Sequence, residues 1–312
     1  MIDFSLSLEQ QMLIKMTREF AKKELEPGII ERDHHSMFPR KQINKMGELG
    51  LMGMMVPKEW GGAGFNTISY VLAIEEIAAV ELATSTIMSV NNSLVCQVLL
   101  DWGNNEQKHK FLRPLAKGKK LGAYSLSEPQ SGSDARNMKT FAKKNGNKYL
   151  INGVKNWVTS GHSSDLVICF CLTKKEEKRK NISCFIIEKN TPGLKTGKKE
   201  EKLGIRASDT CELYFDNVKV SSKNLIGKEG EGFKIALATL DGGRIGIAAQ
   251  ALGIAKASLD ATLVYSKERE QFGKPISSNQ AIQFKIAFCR NAFTKFIRNN
   301  QLLTAMFKNV FC

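Results

Sequence analysis

The chain has 312 residues, enough to bury a substantial core and to hold two or three domains. Apolar residues make up 42% and charged residues 25%, which excludes a disordered or low-complexity chain. A net charge of +15 raises nucleic acid as a ligand, but the basic residues fall in loops such as Lys174-Lys175-Glu176-Glu177-Lys178-Arg179-Lys180, without aromatic interleaving or a helix-turn-helix pattern.

Residues 1–120 read as helical. Ser7 with Gln10 forms a capping box, and Leu13, Met16, Phe20 and Leu25 continue a helical stripe that Pro27 stops. A second helix is expected over 41–54, broken by Val56-Pro57, with a glycine turn at Trp60-Gly61-Gly62-Ala63-Gly64. Amphipathic helices follow over 68–83 and 93–102, and Asn104-Asn105-Glu106 starts another that ends at Leu115. Glu75-Glu76 lies within the first of these, where solvation of a helix face is one account of the pair.

From about 121 to 225 the period changes to two. Apolar runs at 166–172 and 182–187 are bounded by polar turns, and Cys211, Leu213 and Phe215 alternate with Glu212, Tyr214 and Asp216. Helices resume after Gly227-Lys228-Glu229-Gly230-Glu231-Gly232, as Phe233–Leu240 and Arg244–Glu270, with Asp241-Gly242-Gly243-Arg244 as an acidic cap and flexible joint opening the second. Helix, then sheet, then helix describes an α+β architecture: a helical domain over 1–120, a small β-domain over 121–225 and a helical domain over 226–312.

The seven cysteines are scattered and odd in number. Cys169 and Cys171 fall on the same face of an apolar strand, so reduced core thiols are expected rather than zinc ligands or a disulfide framework. No metal site is expected. No apolar run reaches the ~18 residues of a membrane span, so no membrane role is expected. MIDFSLSLEQQ has neither a signal-peptide pattern nor an Arg-rich transit peptide, and the expected location is the cytoplasm of a bacterium, or a mitochondrial matrix after loss of a presequence.

The most distinctive stretch is 121–161. Pro129 and Gly132 bracket a loop that offers the hydroxyls of Ser127, Ser131 and Ser133. Asn152-Gly153 then reads as a turn into Lys155-Asn156-Trp157-Val158-Thr159. Such a loop beside an aromatic strand suits a flat polar ring; it is also what a surface β-loop looks like.

Tyr124-Ser125-Leu126-Ser127-Glu128-Pro129-Gln130-Ser131-Gly132-Ser133-Asp134, followed by Asn156-Trp157-Val158-Thr159, resembles the flavin-binding region of the acyl-CoA dehydrogenases. The resemblance runs to about Ala287 and is greatest to the short-chain, butyryl-CoA branch, to which Asn91-Asn92-Ser93-Leu94 also points weakly. It implies FAD as cofactor. Tyr124, Leu126 and Ser127 would line one side of the flavin, with Trp157 beside the ring, Thr159 at its reactive nitrogen and Ser133 toward the CoA substrate. Arg136-Asn137 depart from the small residues usual in the family there. Asp241 and Arg244 would meet the CoA chain; Arg269, Phe272 and Gln280 would reach the FAD of a neighbouring subunit. The implied assembly is at least a dimer, and the family is usually tetrameric.

The implied reaction is α,β-dehydrogenation of an acyl-CoA thioester, with electrons passed on to an electron-transferring flavoprotein. The basic surface would then help attract the phosphorylated substrate. The base is the exception. Its usual place lies beyond Cys312, and the alternative place used by some relatives is Gly243 here; from Gln271 to Cys312 there is no Asp or Glu. The pattern fades abruptly after Phe284-Lys285-Ile286-Ala287 into a Phe-rich segment over 288–312, as a reading-frame shift would leave it. The competing expectations are an FAD-dependent short-chain dehydrogenase with an incomplete end, and a non-catalytic remnant that binds flavin or partner subunits. A flavin oxidase or monooxygenase on the same fold stands third, with Asp241-Gly242-Gly243-Arg244 against it.

Overall fold

The computed structural model describes residues 5–174 and 181–308. The basic run at 175–180, the first four residues and Cys312 lie outside them. By compactness the chain divides into two units: Met1–Pro27, Asn66–Ser85 and Ile245–Cys312 form one, Gly28–Phe65 and Thr86–Arg244 the other. The succession of helices, sheet and helices is the one that the periods predict.

In the first unit, Leu8–Phe20 begins at the Ser7–Gln10 capping box and continues as one wide turn over Ala21–Leu25. Its stripe buries Leu13, Phe20 and Leu25. It packs against Thr67–Ala78, where Glu76 is 7% exposed and accepts two hydrogen bonds of 2.7 Å from the Arg18 guanidinium. Glu76 is therefore a buried ion-pair partner, and helix-face solvation does not account for it. The first unit also holds the two-residue hairpin Glu270–Gln271/Lys274–Pro275, turned by Phe272 and Gly273, both at positive φ. Phe272 is 98% exposed there. In the helix Gln280–Lys308, Phe284 and Phe288 are exposed.

Burial, reinforced by the Glu76 charge, pushes the neighbouring Glu75 carboxyl up to about 7 against the opposing pull of Lys256 and Arg18. The sign follows from linkage. A carboxyl raised in the folded state costs nothing below its unfolded value of about 4.3, and its penalty grows with pH until it is full above the folded value. Glu75→Gln is therefore expected to stabilise at pH 8 by on the order of 1–3 kcal/mol and to be nearly neutral at pH 4. Urea unfolding at the two pH values checks this; an equal shift at both contradicts it.

The second unit is built on a sheet with the order β6-β7-β3-β2-β4-β5-β8, and β1 parallel to β4. The strands are β1 Gly122–Ser125, β2 Phe141–Asn145, β3 Lys148–Thr159, β4 Leu166–Leu172, β5 Ile182–Glu188, β6 Leu194–Lys199, β7 Thr210–Ser221 and β8 Leu225–Ile226. The antiparallel pair β4–β5 is buried on both faces, which is why its sequence reads as continuous apolar runs. Alternate residues serve two cores. Leu166, Ile168, Phe170 and Ile186 meet Val95, Leu99, Phe111 and Leu115 of the helices, while Val167, Cys169, Cys171 and Phe185 meet Tyr149, Val158 and Leu213 of the sheet. The Cys169 and Cys171 sulfurs lie 3.6 Å apart, within thiol hydrogen-bond distance and not joined as a disulfide, on the one face that strand alternation gives them.

Asn91 and Asn92, in the wide helical turn Val90–Cys96, brace this unit from within. Asn91 donates to the Met52 carbonyl at 2.8 Å and accepts from the Gly122 amide at 3.2 Å. Asn92 accepts from the Met54 amide at 2.7 Å and donates to Leu51 at 2.9 Å. Both are buried, so these bonds satisfy backbone groups that would otherwise be stranded away from water.

Two local expectations are corrected. Asn152-Gly153 is not a hairpin turn: β3 runs straight through it with a register shift, and the β2–β3 turn is at Gly146. A Cβ at Gly153 would overlap Thr140, so glycine answers a close approach there. Nor does Asp241-Gly242-Gly243-Arg244 cap or hinge anything. One helix, Gly232–Glu268, passes through it. Two glycines in a helix interior cost about 1 kcal/mol each relative to alanine. Burial of Ile235 and Ala236 against the sheet-side core offsets this, and Gly243 clears Leu94. This helix is also long and apolar enough, by length and composition, to cross a membrane, although no uninterrupted run suggests it. Phe233, Ile235 and Ala236 at its start pack that core, whereas Leu237, Ile247, Ile254 and Val264 are exposed, and its polar residues Asp241 and Arg244 pair with each other.

Candidate functional site

The second unit contains a cavity of 680 Å³. One wall is the loop after β1, one the end of β3, and one the start of the helix Gly232–Glu268.

The loop wall is drawn tight by its own hydrogen bonds. Glu128 and Ser131 exchange backbone bonds of 2.9 and 3.0 Å around Pro129-Gln130. Ser131 donates its hydroxyl to the Asp134 carbonyl and is buried, so of the three loop serines only Ser127 and Ser133 line the cavity. The Glu128 carboxylate is the loop's anchor. It accepts from the Lys139 and Thr140 amides at 2.5 and 3.0 Å, from Gln130 at 2.7 Å and from the Lys155 ammonium at 2.8 Å. Burial pushes this carboxyl up, but the Lys155 charge and these bonds together hold it below its ordinary value.

The strand wall depends on a bulge. The register of β3 against β7 slips between Lys155 and Val158, so both of these point inward although they are three residues apart. Asn156 and Trp157 are displaced from the ladder, and Trp157, 62% exposed, sits at φ +59° and lines the cavity. A left-handed backbone at a bulky residue is strained, and it aims the indole where an ideal strand would not. The Asn156 amide donates to the Ser127 carbonyl at 2.9 Å, which ties this wall to the loop.

Of the residues expected at the site, Tyr124, Leu126, Ser127, Ser133, Trp157, Thr159 and Arg244 line this cavity together. Asp241 does not line it; it pairs with Arg244 one helical turn away. Arg269, Phe272 and Gln280 belong to the first unit, are exposed and are not among the lining residues. Sequence reasoning missed Lys155 and Glu128. The available signal was a lysine at an inward position of a strand, which needs a buried acid somewhere in the fold.

The cavity's polar chemistry is unfinished. Tyr124 Oη and Asn156 Oδ1 are buried with no hydrogen-bond partner among the described residues, and burial pushes the Tyr124 hydroxyl well above its ordinary pKa. Buried polar atoms are normally satisfied, so two orphans among the lining residues, together with an exposed indole and the hydroxyls of Ser127, Ser133 and Thr159, fit a planar ligand with hydrogen-bonding edges. Charge is asymmetric as well. Arg244 is neutralised by Asp241, whereas Arg136 has its guanidinium 4.4 Å from the Phe233 ring centroid and makes no ion pair among the described residues. Asp134 is the carboxylate of the lining.

Three family models cover most of the sequence: the acyl-CoA dehydrogenase N-terminal domain at 7–119, middle domain at 123–218 and C-terminal domain at 230–296. The chain belongs to the acyl-CoA dehydrogenase family. Members of this family are flavoproteins, and the cavity's residues fit such a group. An acyl-CoA dehydrogenase of Bacillus subtilis is 51% identical over 279 residues, 89% of this chain and 74% of the relative. The solved butyryl-CoA dehydrogenase of Megasphaera elsdenii superposes with a TM-score of 0.92 at 43% identity, over 94% of this chain and 78% of that one. A structure described as the electron transferring flavoprotein of Acidaminococcus fermentans matches with a TM-score of 0.94 at 47% identity, over 99% of this chain and 81% of that one.

Proposed function

We propose that the chain is an FAD-dependent dehydrogenase of short-chain acyl-CoA thioesters that hands its electrons to an electron-transferring flavoprotein. The observation that carries this reading is the cavity lined by Trp157, Thr159 and Ser127 together with Tyr124 and Asn156, each of which carries an unpartnered polar atom. Bound there, FAD supplies the hydride acceptor. Tyr124, Leu126 and Ser127 would hold one edge of the ring system, Trp157 would fix its plane, and Thr159 would donate from the strand end. Ser133 and Arg244 would orient the CoA part of the thioester, with Asp241 holding Arg244. Arg136 supplies a further cation for a phosphorylated substrate. The likeness to a butyryl-CoA dehydrogenase supports the short acyl chain, and the Acidaminococcus likeness supports the electron acceptor.

A second reading, a flavin-binding chain without turnover, is favoured by one observation: the cavity's carboxylate is Asp134 on the loop, and position 243 on the helix is glycine. One experiment addresses both. Purified chain is titrated with FAD, then mixed anaerobically with butyryl-CoA while flavin absorbance is followed. FAD binding with bleaching supports the first reading, and binding without bleaching the second. No FAD binding refutes both.

Arg269, Phe272 and Gln280 are assigned to the cofactor of a neighbouring subunit, an assignment supported by their exposure on a hairpin and a helix start. Arg269→Ala and Trp157→Ala chains, each weak in FAD binding alone, are expected to recover a fraction of FAD sites when refolded together. A monomer with stoichiometric FAD in sedimentation contradicts the assignment.

A further inference from the structure

We infer that Lys155 is a positioning residue for the flavin cavity: through one hydrogen bond to the Leu126 carbonyl it sets the direction in which the Ser127 backbone N–H is presented. The inference rests on the flavin reading above, and goes beyond it in giving a role to a group that does not line the cavity.

The Lys155 side chain is fully buried and its ammonium has three contacts. It donates to Glu128 Oε1 at 2.8 Å and to the Leu126 carbonyl at 2.9 Å, with Met138 Sδ at 4.0 Å. A strand needs no lysine here for packing, since its other inward neighbour is Val158. What the lysine adds is a grip on one peptide unit. The Leu126–Ser127 peptide is planar and trans, so its carbonyl and its N–H point in opposite directions. With the carbonyl fixed toward Lys155, the Ser127 N–H faces away from it. That N–H has no protein partner among the described residues, and Leu126 and Ser127 both line the cavity. Turning this peptide over would strand the ammonium and replace a donor in the cavity wall by a carbonyl oxygen, which repels a carbonyl or ring nitrogen of a ligand.

Glu128 serves a separate purpose in the same cluster. It balances the Lys155 charge and holds the Lys139 and Thr140 amides, whereas the peptide direction depends on the bond to Leu126. The two contributions are therefore separable by mutation.

The test compares FAD dissociation constants, read by flavin fluorescence, with folding followed by circular dichroism and thermal unfolding. Lys155→Met/Glu128→Gln removes both charges together and keeps approximate volume, so a folded chain is expected. Its FAD dissociation constant should rise about tenfold or more, with a changed flavin absorption band, because the peptide is free to turn. Glu128→Gln alone loosens the loop but keeps the lysine on the Leu126 carbonyl, so its loss of FAD affinity should be clearly smaller than the double variant's and the parent's flavin absorption band should be retained. A folded double variant that binds FAD like the parent overturns the inference. So does a folded Glu128→Gln chain that loses as much affinity as the double variant; if the double variant does not fold, a folded Glu128→Gln chain whose flavin band departs from the parent's overturns it. A parent chain that binds no FAD would instead refute the flavin reading itself.

Discussion

A Gly243→Glu chain loaded with FAD will bleach with butyryl-CoA at least two orders of magnitude faster than its parent. Removing a proton next to a thioester requires a base within hydrogen-bond reach, and general-base assistance is worth about 10²–10⁴-fold. The described cavity wall offers Asp134 alone, on the loop beside Ser133. Position 243 lies on the opposite wall's helix, and a Cβ built there comes 2.9 Å from Leu94 Cδ2, a side chain of the lining. Only the free end of a leucine has to give way, and replacing a helix-interior glycine recovers roughly 0.5–1 kcal/mol of helix propensity. Gly243→Gln, which matches the size without the basicity, should leave the rate at the parent level. Parent bleaching as fast as the variant's would reveal a base elsewhere, and a Gln variant as fast as the Glu variant would trace the gain to packing.

The single substitution Lys155→Met is expected to cost about 3–5 kcal/mol of stability, because it leaves the Glu128 charge buried without its partner. Most of that loss should return in Lys155→Met/Glu128→Gln, since removing both members of a buried pair is often nearly neutral. The pH dependence has a definite sign. Glu128 titrates below its unfolded value of about 4.3. Its contribution is therefore present above that value and is lost as pH falls through the folded value. Urea midpoints at neutral pH and in acid measure both effects. A single variant as stable as the double one at pH 7 would mean that the pair stabilises nothing.

What the sequence made legible was local or periodic. The capping box at Ser7–Gln10 is present as read, and the helix start expected at Asn104-Asn105-Glu106 is closed by a second box, Asn104–Gln107, each spanning three residues. The β4 and β5 runs are bounded as expected, because burial on both faces writes an uninterrupted apolar string. Six lining residues of the cavity came from resemblance along one loop and one strand, and a seventh, Arg244, from resemblance along a helix. What stayed hidden depends on partners distant in the chain. Lys155 and Glu128 are 27 residues apart, and Arg18 and Glu76 are 58 apart. The bulge that turns Trp157 outward is defined by register with β7 and leaves no mark in residue type. The helix through Asp241-Gly242-Gly243-Arg244 inverts local preference: of the two glycines that signal a joint, Gly243 lies against Leu94 and Gly242 faces open space.

Among the described residues the five fully buried thiols, Cys96, Cys169, Cys171, Cys184 and Cys211, all lie in the unit that holds the cavity, while Cys289 is exposed. An aqueous alkylating reagent therefore reads this molecule as a clock. Cys289 is modified in the folded state at the rate of a free thiol. Each of the five reacts only during excursions that admit the reagent, and its labelling rate measures how often its part of the sheet or helix layer breathes. Cys169 and Cys171 share one face of β4 and should be labelled in the same events. Cys96 faces the helical side and would report separately if that layer loosens on its own.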